Sequence, residues 1–370
     1  MGPYNLVFSD GTGQRGVPDQ KGKPGAGSTN IYKMYLAARS NPGQHCFYDP
    51  GLGSDPVEPL DWPTWAKNLI SKATGLGITE NIWNCYEFLV LNHEPDRRIG
   101  LFGFSRGAYT VRSLGGLLTL CGIPSPMQNG INIRGETKAE KAARAAVIKR
   151  AIGIYQTDYG DKGAPRRKAL AATFRVECRC SDANPHVIGV FDTVAALGLP
   201  GIMNLVNPFK HEFHNTALSD KVRFGFQALA VDENRKIFKP VLWDEPESQD
   251  GPRIEQVWFP GVHSDIGGGY AEQGLSDVTL DWMVSRCRQP EVNVDFGGLS
   301  PNPNLLDTLH DERTGFGIFW RPGLRTNDVV TEAVNRAPLA PRIEDRFNAP
   351  DLGYRPEALS LHPRTRGFYP

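Results

Sequence analysis

Residues 98–114, RIGLFGFSRGAYTVRSL, carry the reading of this chain. The apolar run Ile99 to Phe104 predicts a buried strand. Gly107 to Leu120 predicts a buried helix, whose paired Gly115 and Gly116 cost propensity but allow close approach to a sheet. Between them, Gly103-Phe104-Ser105-Arg106-Gly107 matches G-x-S-x-G. In such a sharp turn the serine backbone is strained, and a Cβ at 103 or 107 would crowd the neighbouring strand or helix. The motif alone recurs by chance, as a serine in a tight structural turn. Its strand-turn-helix setting makes Ser105 a candidate nucleophile raised above a sheet.

Outward from this turn, strand and helix signals alternate. Tyr4 to Phe8 is an apolar strand that runs into Ser9-Asp10-Gly11-Thr12-Gly13, a loop of the kind that opens a site at the C-terminal edge of a parallel sheet. Ser28 is placed to cap a helix from Thr29 to about Arg39, and His45 to Gly51 reads as a strand and turn. Ile82, Tyr86, Leu89 and His93 fall at near-helical spacing in a segment that begins at Thr79 and is ended by Pro95. Further strands are expected at His186 to Phe191, Val222 to Asp232 and Ile254 to Pro260, with helices over 136–157 and Asp277 to Arg288. The pattern predicts an α/β fold with a mostly parallel central sheet flanked by helices. Residues 1–290 are expected to form this core, with excursions at 53–79, 125–180 and 198–220 shaping substrate access. The Pro-rich stretch 291–370 is expected to wrap irregularly on it.

A serine hydroxyl needs a base. His263, in FPGVHSDIGGGY, lies just beyond the strand IEQVWF and before a flexible glycine cluster, a better placement than that of His186, His211 or His214. A third group must orient the imidazole. Asp192 follows the apolar strand HVIGVF, and the order Ser105, Asp192, His263 is the one expected for this architecture. Asp232, at the end of FQALAVD, is a rival, and Asp265 is close to the base in sequence. For an oxyanion hole, the backbone amide of Arg106 comes first by geometry, and that of Gly11 or Thr12 second. The direction of the Arg106 side chain is left open between a carboxylate partner and a charged substrate group. Asp10, Asp192 and Asp265 can also be redrawn as a metal-holding cluster for phosphoester chemistry, which would leave the turn at Ser105 unexplained.

Composition sets the outer limits. The 370 residues are 40% hydrophobic and 22% charged, the profile of a folded protein with a large core. Lys plus Arg and Asp plus Glu both number 41, so nothing recommends a nucleic acid as partner, and transient contact with a membrane surface stays open. No apolar stretch reaches the roughly 18 residues of a membrane span, and MGPYNLVFSDGTG lacks the pattern of a cleavable signal. With Leu6 where a hydroxyl residue is needed, myristoylation is not expected either. A soluble chain is expected, cytoplasmic or exported without such a signal. Of the six cysteines, Cys178 and Cys180 have no companions at zinc-like spacing and read as strand positions. GTGQRG is not a dinucleotide fingerprint.

FSDGTG at 8–13, GFSRGAYTVRSL at 103–114, VFDTVAALG at 190–198, ALAVDE at 228–233 and VWFPGVHSDIGGGY at 257–270 together resemble the DUF2235 hydrolases. That family contains the catalytic domain of type VI secretion phospholipase effectors. The resemblance implies an α/β-hydrolase-like core, a triad of Ser105, Asp192 and His263, and cleavage of carboxylic esters, lipid acyl esters among them, without metal or organic cofactor. A catalytically inactive hydrolase-like binding module is the alternative of a different class.

Overall fold

The computed structural model describes residues 2–11, 25, 27–50, 75–157, 164–194, 218–236, 238–244, 253–313, 322–325 and 337–370. The order opens with strand β1 (Tyr4–Ser9), helix α1 (Asn30–Ala38), β2 (Gln44–Asp49) and α2 (Gly75–Asn92). Next come β3 (Arg98–Phe104), α3 (Arg106–Cys121), the short strands β4 (Met127–Gln128) and β5 (Ile131–Asn132), and the helices α4 (Lys138–Gln156) and α5 (Ala164–Glu177). The remainder is β6 (Val187–Phe191), β7 (Phe224–Ala230), β8 (Ile254–Phe259), α6 (His263–Gly267), α7 (Gly274–Cys287) and α8 (Glu344–Asn348), followed by single 3₁₀ turns.

Six strands form one sheet in the order β2-β1-β3-β6-β7-β8, and every described pairing within it is parallel. Parallel strands covered on both faces have no polar side to show, and β1, β6 and most of β3 are buried end to end. Val7, Leu101 and Ile188 face α2, α3 and α4 in one core cluster. Leu6, Phe102 and Phe191 point the other way, toward α1 and α7. The chain runs from β1 to β2 on one side and then to β3 on the other, so the sheet has its switch point between β1 and β3. In such sheets the crevice at the carboxyl ends of the strands at that point is where ligands bind. Ser9 and Phe104, the last residues of those two strands, open onto it.

Several local expectations change. The α1 cap is Thr29, not Ser28: its hydroxyl accepts the Tyr32 N–H, which only the residue directly before the helix can do. Helix α2 starts at Gly75, ahead of Thr79. Cys178 and Cys180 are not in a strand but in the turn after α5, where the amides of 178, 179 and 180 bond back to α5 carbonyls. His263 opens the short helix α6, so the glycine-rich stretch after the base is partly helical. The 125–180 stretch packs Ile148, Ile152 and Phe174 into the cluster that holds α3. Most of 53–79 and of 198–220 lies outside the described residues.

The C-terminal segment covers the β8 edge. Trp258 donates its amide to the Pro338 carbonyl at 2.9 Å and accepts from Ala340 N at 2.7 Å. Leu339, Ile343 and Phe347 pack with Leu229, Val231 and Trp258 in a separate apolar cluster. At Trp258 the outward polar groups of the edge strand are thus taken by the chain itself, which blunts the edge there.

The turn at Ser105 depends on two close approaches. A Cβ on Gly103 would lie 2.5 Å from the Gly107 carbonyl oxygen, and one on Gly107 would lie 2.1 Å from the Ser9 carbonyl oxygen. Both obstacles are backbone and cannot rotate away. Gly107→Ala is expected to destabilise the fold by about 3 kcal/mol, the upper end of the overpacking range, read as a fall in the urea midpoint. An unchanged midpoint would show that α3 is free to retreat from β1.

Candidate active site

Register places the first two groups. Phe104 of β3 pairs with Phe191 of β6, so Ser105 and Asp192 leave adjacent strands side by side, and Ser105 N donates to the Phe191 carbonyl at 3.1 Å. Both have positive φ, 56° at Ser105 and 37° at Asp192, a region that favours glycine. Strain of this kind persists only where the surroundings over-determine it, and it clusters at functional sites. Ser105 is the N-cap of α3, yet its side chain makes no cap hydrogen bond, which leaves the hydroxyl uncommitted to the helix.

His263 arrives from the end of β8. Its ring lies against Phe104 at 4.7 Å between centroids and meets Phe238 edge-on at 5.0 Å. Nδ1 is 2.6 Å from Asp192 Oδ2. An ionised carboxylate only accepts, so Nδ1 carries the hydrogen, and in the neutral ring Nε2 then holds the lone pair. Nε2 is buried and has no hydrogen-bond partner among the described residues. A buried polar atom without a partner is uncommon.

Asp192 is fully buried and densely bonded. Besides His263 it accepts from Ala230 N at 3.0 Å and from both terminal nitrogens of Arg325, at 2.6 and 3.0 Å. Burial works to raise its pKa, but the Arg325 guanidinium and the His263 hydrogen bond outweigh it and hold the carboxyl well below the usual range. Glu233 stands behind the imidazole. Its Oε2 accepts the His263 backbone N–H at 3.2 Å, and its carboxylate is paired with Arg235. Burial raises the Glu233 pKa, and the Arg235 bonds more than reverse this.

The other candidates go elsewhere. Asp232 accepts from Gly261 N at 2.6 Å and from the Tyr354 hydroxyl at 3.0 Å, and burial pushes it up to about 7. Asp265 holds Val262 N and the His310 ring. His186 lies at the opposite end of β6, against the Glu291 carbonyl, and His211 and His214 lie outside the described residues. Asp10 accepts from Thr29 at 2.6 Å, Tyr48 at 2.7 Å and Gly11 N at 2.8 Å, and burial lifts it to about 6. Two corrections follow. The Gly11 amide is already given to Asp10 and is not a free oxyanion donor, and Thr12 lies outside the described residues. The carboxylates of Asp10, Asp192 and Asp265 hold separate donor sets, with a guanidinium across both oxygens of Asp192. Among the described residues no group of three or more His, Cys, Asp or Glu is arranged to hold a metal ion.

The model of the type VI secretion system phospholipase effector Tle1-like catalytic domain matches residues 5–286. The chain belongs to this family. At the family level that is a domain of lipid-ester hydrolases. An uncharacterized protein of Saccharomyces cerevisiae is 28% identical over 227 residues, 58% of this chain and 30% of that protein. Among solved structures, an uncharacterized Pseudomonas aeruginosa protein aligns over 81% of this chain and 48% of its own, with 16% identity and a TM-score of 0.40. A Tle1 effector bound to the VgrG spike aligns over 73% and 52%, with 20% identity and a TM-score of 0.34. The chain thus spans about a third of the curated relative and about half of each solved chain. No helix among the described residues is long and apolar enough to cross a membrane.

Arg325 and Glu233 carry no signal of a role in the sequence. Glu233 follows Asp232 in the block ALAVDE, and Arg325 sits in the Pro-rich stretch without a motif around it. Asp192→Asn is expected to lower kcat by roughly 10⁴-fold, the scale seen when a serine triad loses its orienting carboxylate. Asp232→Asn should leave kcat near wild type while lowering the melting temperature. Equal losses of kcat in the two variants would contradict the assignment.

Proposed function

We propose that this chain is a serine carboxylester hydrolase acting on phospholipid acyl esters, with Ser105 as nucleophile, His263 as base and Asp192 as its orienter. The observation that carries the reading is the pair of strained residues Ser105 and Asp192 at neighbouring strand ends, with the His263 ring held by Asp192 through Nδ1 and its buried Nε2 unpartnered among the described residues. Family membership supports the lipid ester as substrate class.

The steps follow from the groups present. His263 Nε2 takes the Ser105 proton as Oγ attacks the ester carbonyl, and Asp192 offsets the imidazolium charge. The tetrahedral oxyanion is met by the Arg106 amide at the first turn of α3, where the helix dipole favours negative charge. Collapse breaks the bond to the alcohol, which leaves with the proton from Nε2. Water then attacks the acyl-serine with the same base, releasing the acid and restoring the serine.

Arg106 favours a phospholipid over a neutral ester. At the first position of α3 its side chain leans toward the helix N-terminus, hence toward the crevice. No ion pair or hydrogen bond engages the guanidinium among the described residues, and burial alone brings it down to about 10. A half-buried cation with no carboxylate partner among the described residues fits a phosphate brought by the substrate. Access to such a substrate entails transient contact with a lipid surface.

Two measurements test this reading. A fluorophosphonate probe is expected to form one adduct, mapped to Ser105 and lost in Ser105→Ala without loss of folding. An adduct elsewhere, or none on folded protein, would point to the inactive binding module instead. Arg106→Gln is expected to lower kcat/KM on phosphatidyl esters by about 10- to 100-fold, the worth of a hydrogen bond to a charged group, with little change on a p-nitrophenyl ester of the same acyl chain. Equal losses on both substrates would remove the phosphate role.

A further inference from the structure

We propose that Arg325 is a positioning residue of the active site, which fixes the Asp192 carboxylate against the His263 ring and shares its charge, so that the catalytic unit extends beyond the family-matched residues 5–286 into the C-terminal segment. The inference rests on the Ser105, Asp192, His263 reading above and adds a fourth member to it.

The geometry is that of a built contact. Arg325 is 3% exposed and Asp192 is 0% exposed. The two terminal nitrogens of the guanidinium reach the two carboxylate oxygens at 2.6 and 3.0 Å, and they also donate to the Ala230 and Phe238 carbonyls. A bidentate fork fixes the carboxylate plane as well as its position. The segment carrying it is held by backbone. Pro322 bridges Arg235, and Gly323 N donates to the Asn234 carbonyl at 2.9 Å. A Cβ on Gly323 would lie 2.6 Å from Lys236 Cα, so this strip of chain lies directly on residues 234–236. That strip follows Glu233, whose carboxylate receives the His263 amide.

The consequence for the base is electrostatic. Asp192 faces His263 at Nδ1, Glu233 faces its backbone amide with Arg235 behind it, Asp265 is two residues on and engaged with His310, and the remaining neighbours are the rings of Phe104 and Phe238. Glu233 and Asp265 each have their own partner. Arg325 is therefore the cation that acts on the imidazole through the carboxylate they share. A guanidinium already spread over both oxygens leaves less negative charge to stabilise an imidazolium. Without Arg325 the carboxylate would favour the protonated ring, and the acid limb of activity would move upward.

The test uses the full chain, with kcat/KM on a p-nitrophenyl ester followed against pH for wild type, Arg325→Gln and Arg325→Lys, and with folding checked by circular dichroism. For Arg325→Gln the acid limb is expected to shift up by on the order of one pH unit, the plateau kcat to fall, and added methylguanidinium to restore both. Arg325→Lys keeps the charge but not the fork, so its limb should stay near wild type while its plateau falls. A folded glutamine variant whose acid limb does not move would overturn the proposal and leave Arg325 a structural ion pair. If the glutamine variant does not fold, a lysine variant with a wild-type plateau would overturn it equally. Full ester turnover in Ser105→Ala would instead remove the underlying triad reading, whatever the position 325 variants show.

Discussion

The site depends on how closely the N-terminus of α3 can approach the ends of β1 and β3. Residues 103 and 107 have backbone carbonyls where a Cβ would stand, at 2.5 and 2.1 Å. Without side chains there, the chain reverses within one residue, and Ser105 absorbs the turn with φ of 56°. That one residue leaves the strand direction while its hydroxyl stays clear of the helix cap. A wider turn would put α3 farther from β1 and carry its first-turn amides away from the crevice. Packing at two glycines thus sets the place where charge can be stabilised.

Charge at the strand ends is sorted just as sharply. Asp10, Asp49 and Asp232 are buried among hydroxyls and amides, and burial raises them to about 6, 7 and 7. Asp192 is as deeply buried, yet it is held below the usual range, because a guanidinium and an imidazole face it. Environments that push like groups apart assign them different tasks. Three of these carboxyls approach neutrality in the physiological range and serve as hydrogen-bond anchors for loops. One stays ionised beside the histidine.

Much of the fold was readable because parallel strands buried on both faces appear as apolar runs, and the runs at Ile99, His186, Val222 and Ile254 all correspond to strands to within a few residues. The approach of Asp192 to His263 was readable as two residues following such runs, since parallel strands deliver their ends to one edge. What the sequence could not show is how local donors are shared. Ser28 and Thr29 are chemically equivalent caps, and only the helix start separates them. Gly11 follows an aspartate able to take its amide, and nothing in SDGTG says that it does. Arg325 stands 133 positions from Asp192. A lone arginine in an aperiodic segment has no signature, and its partner is known only when the segment is placed.

The distance in sequence also bears on how the site is assembled. Ser105, Asp192 and His263 follow β3, β6 and β8 of one parallel sheet, so pairing of its strands brings these ends to the same edge. Apart from the C-terminal segment, the partners of the Asp192 carboxylate among the described residues are one imidazole and one amide. Docking of residues 322–325 against 234–236 supplies the compensating charge, and Trp258 receives Leu339 and its neighbours on the adjacent strand. An uncompensated buried carboxylate costs several kcal/mol. The C-terminal segment that meets the sheet edge at Trp258 therefore also supplies the cation paired with Asp192, which under the proposed reading couples formation of a competent site to completion of the fold.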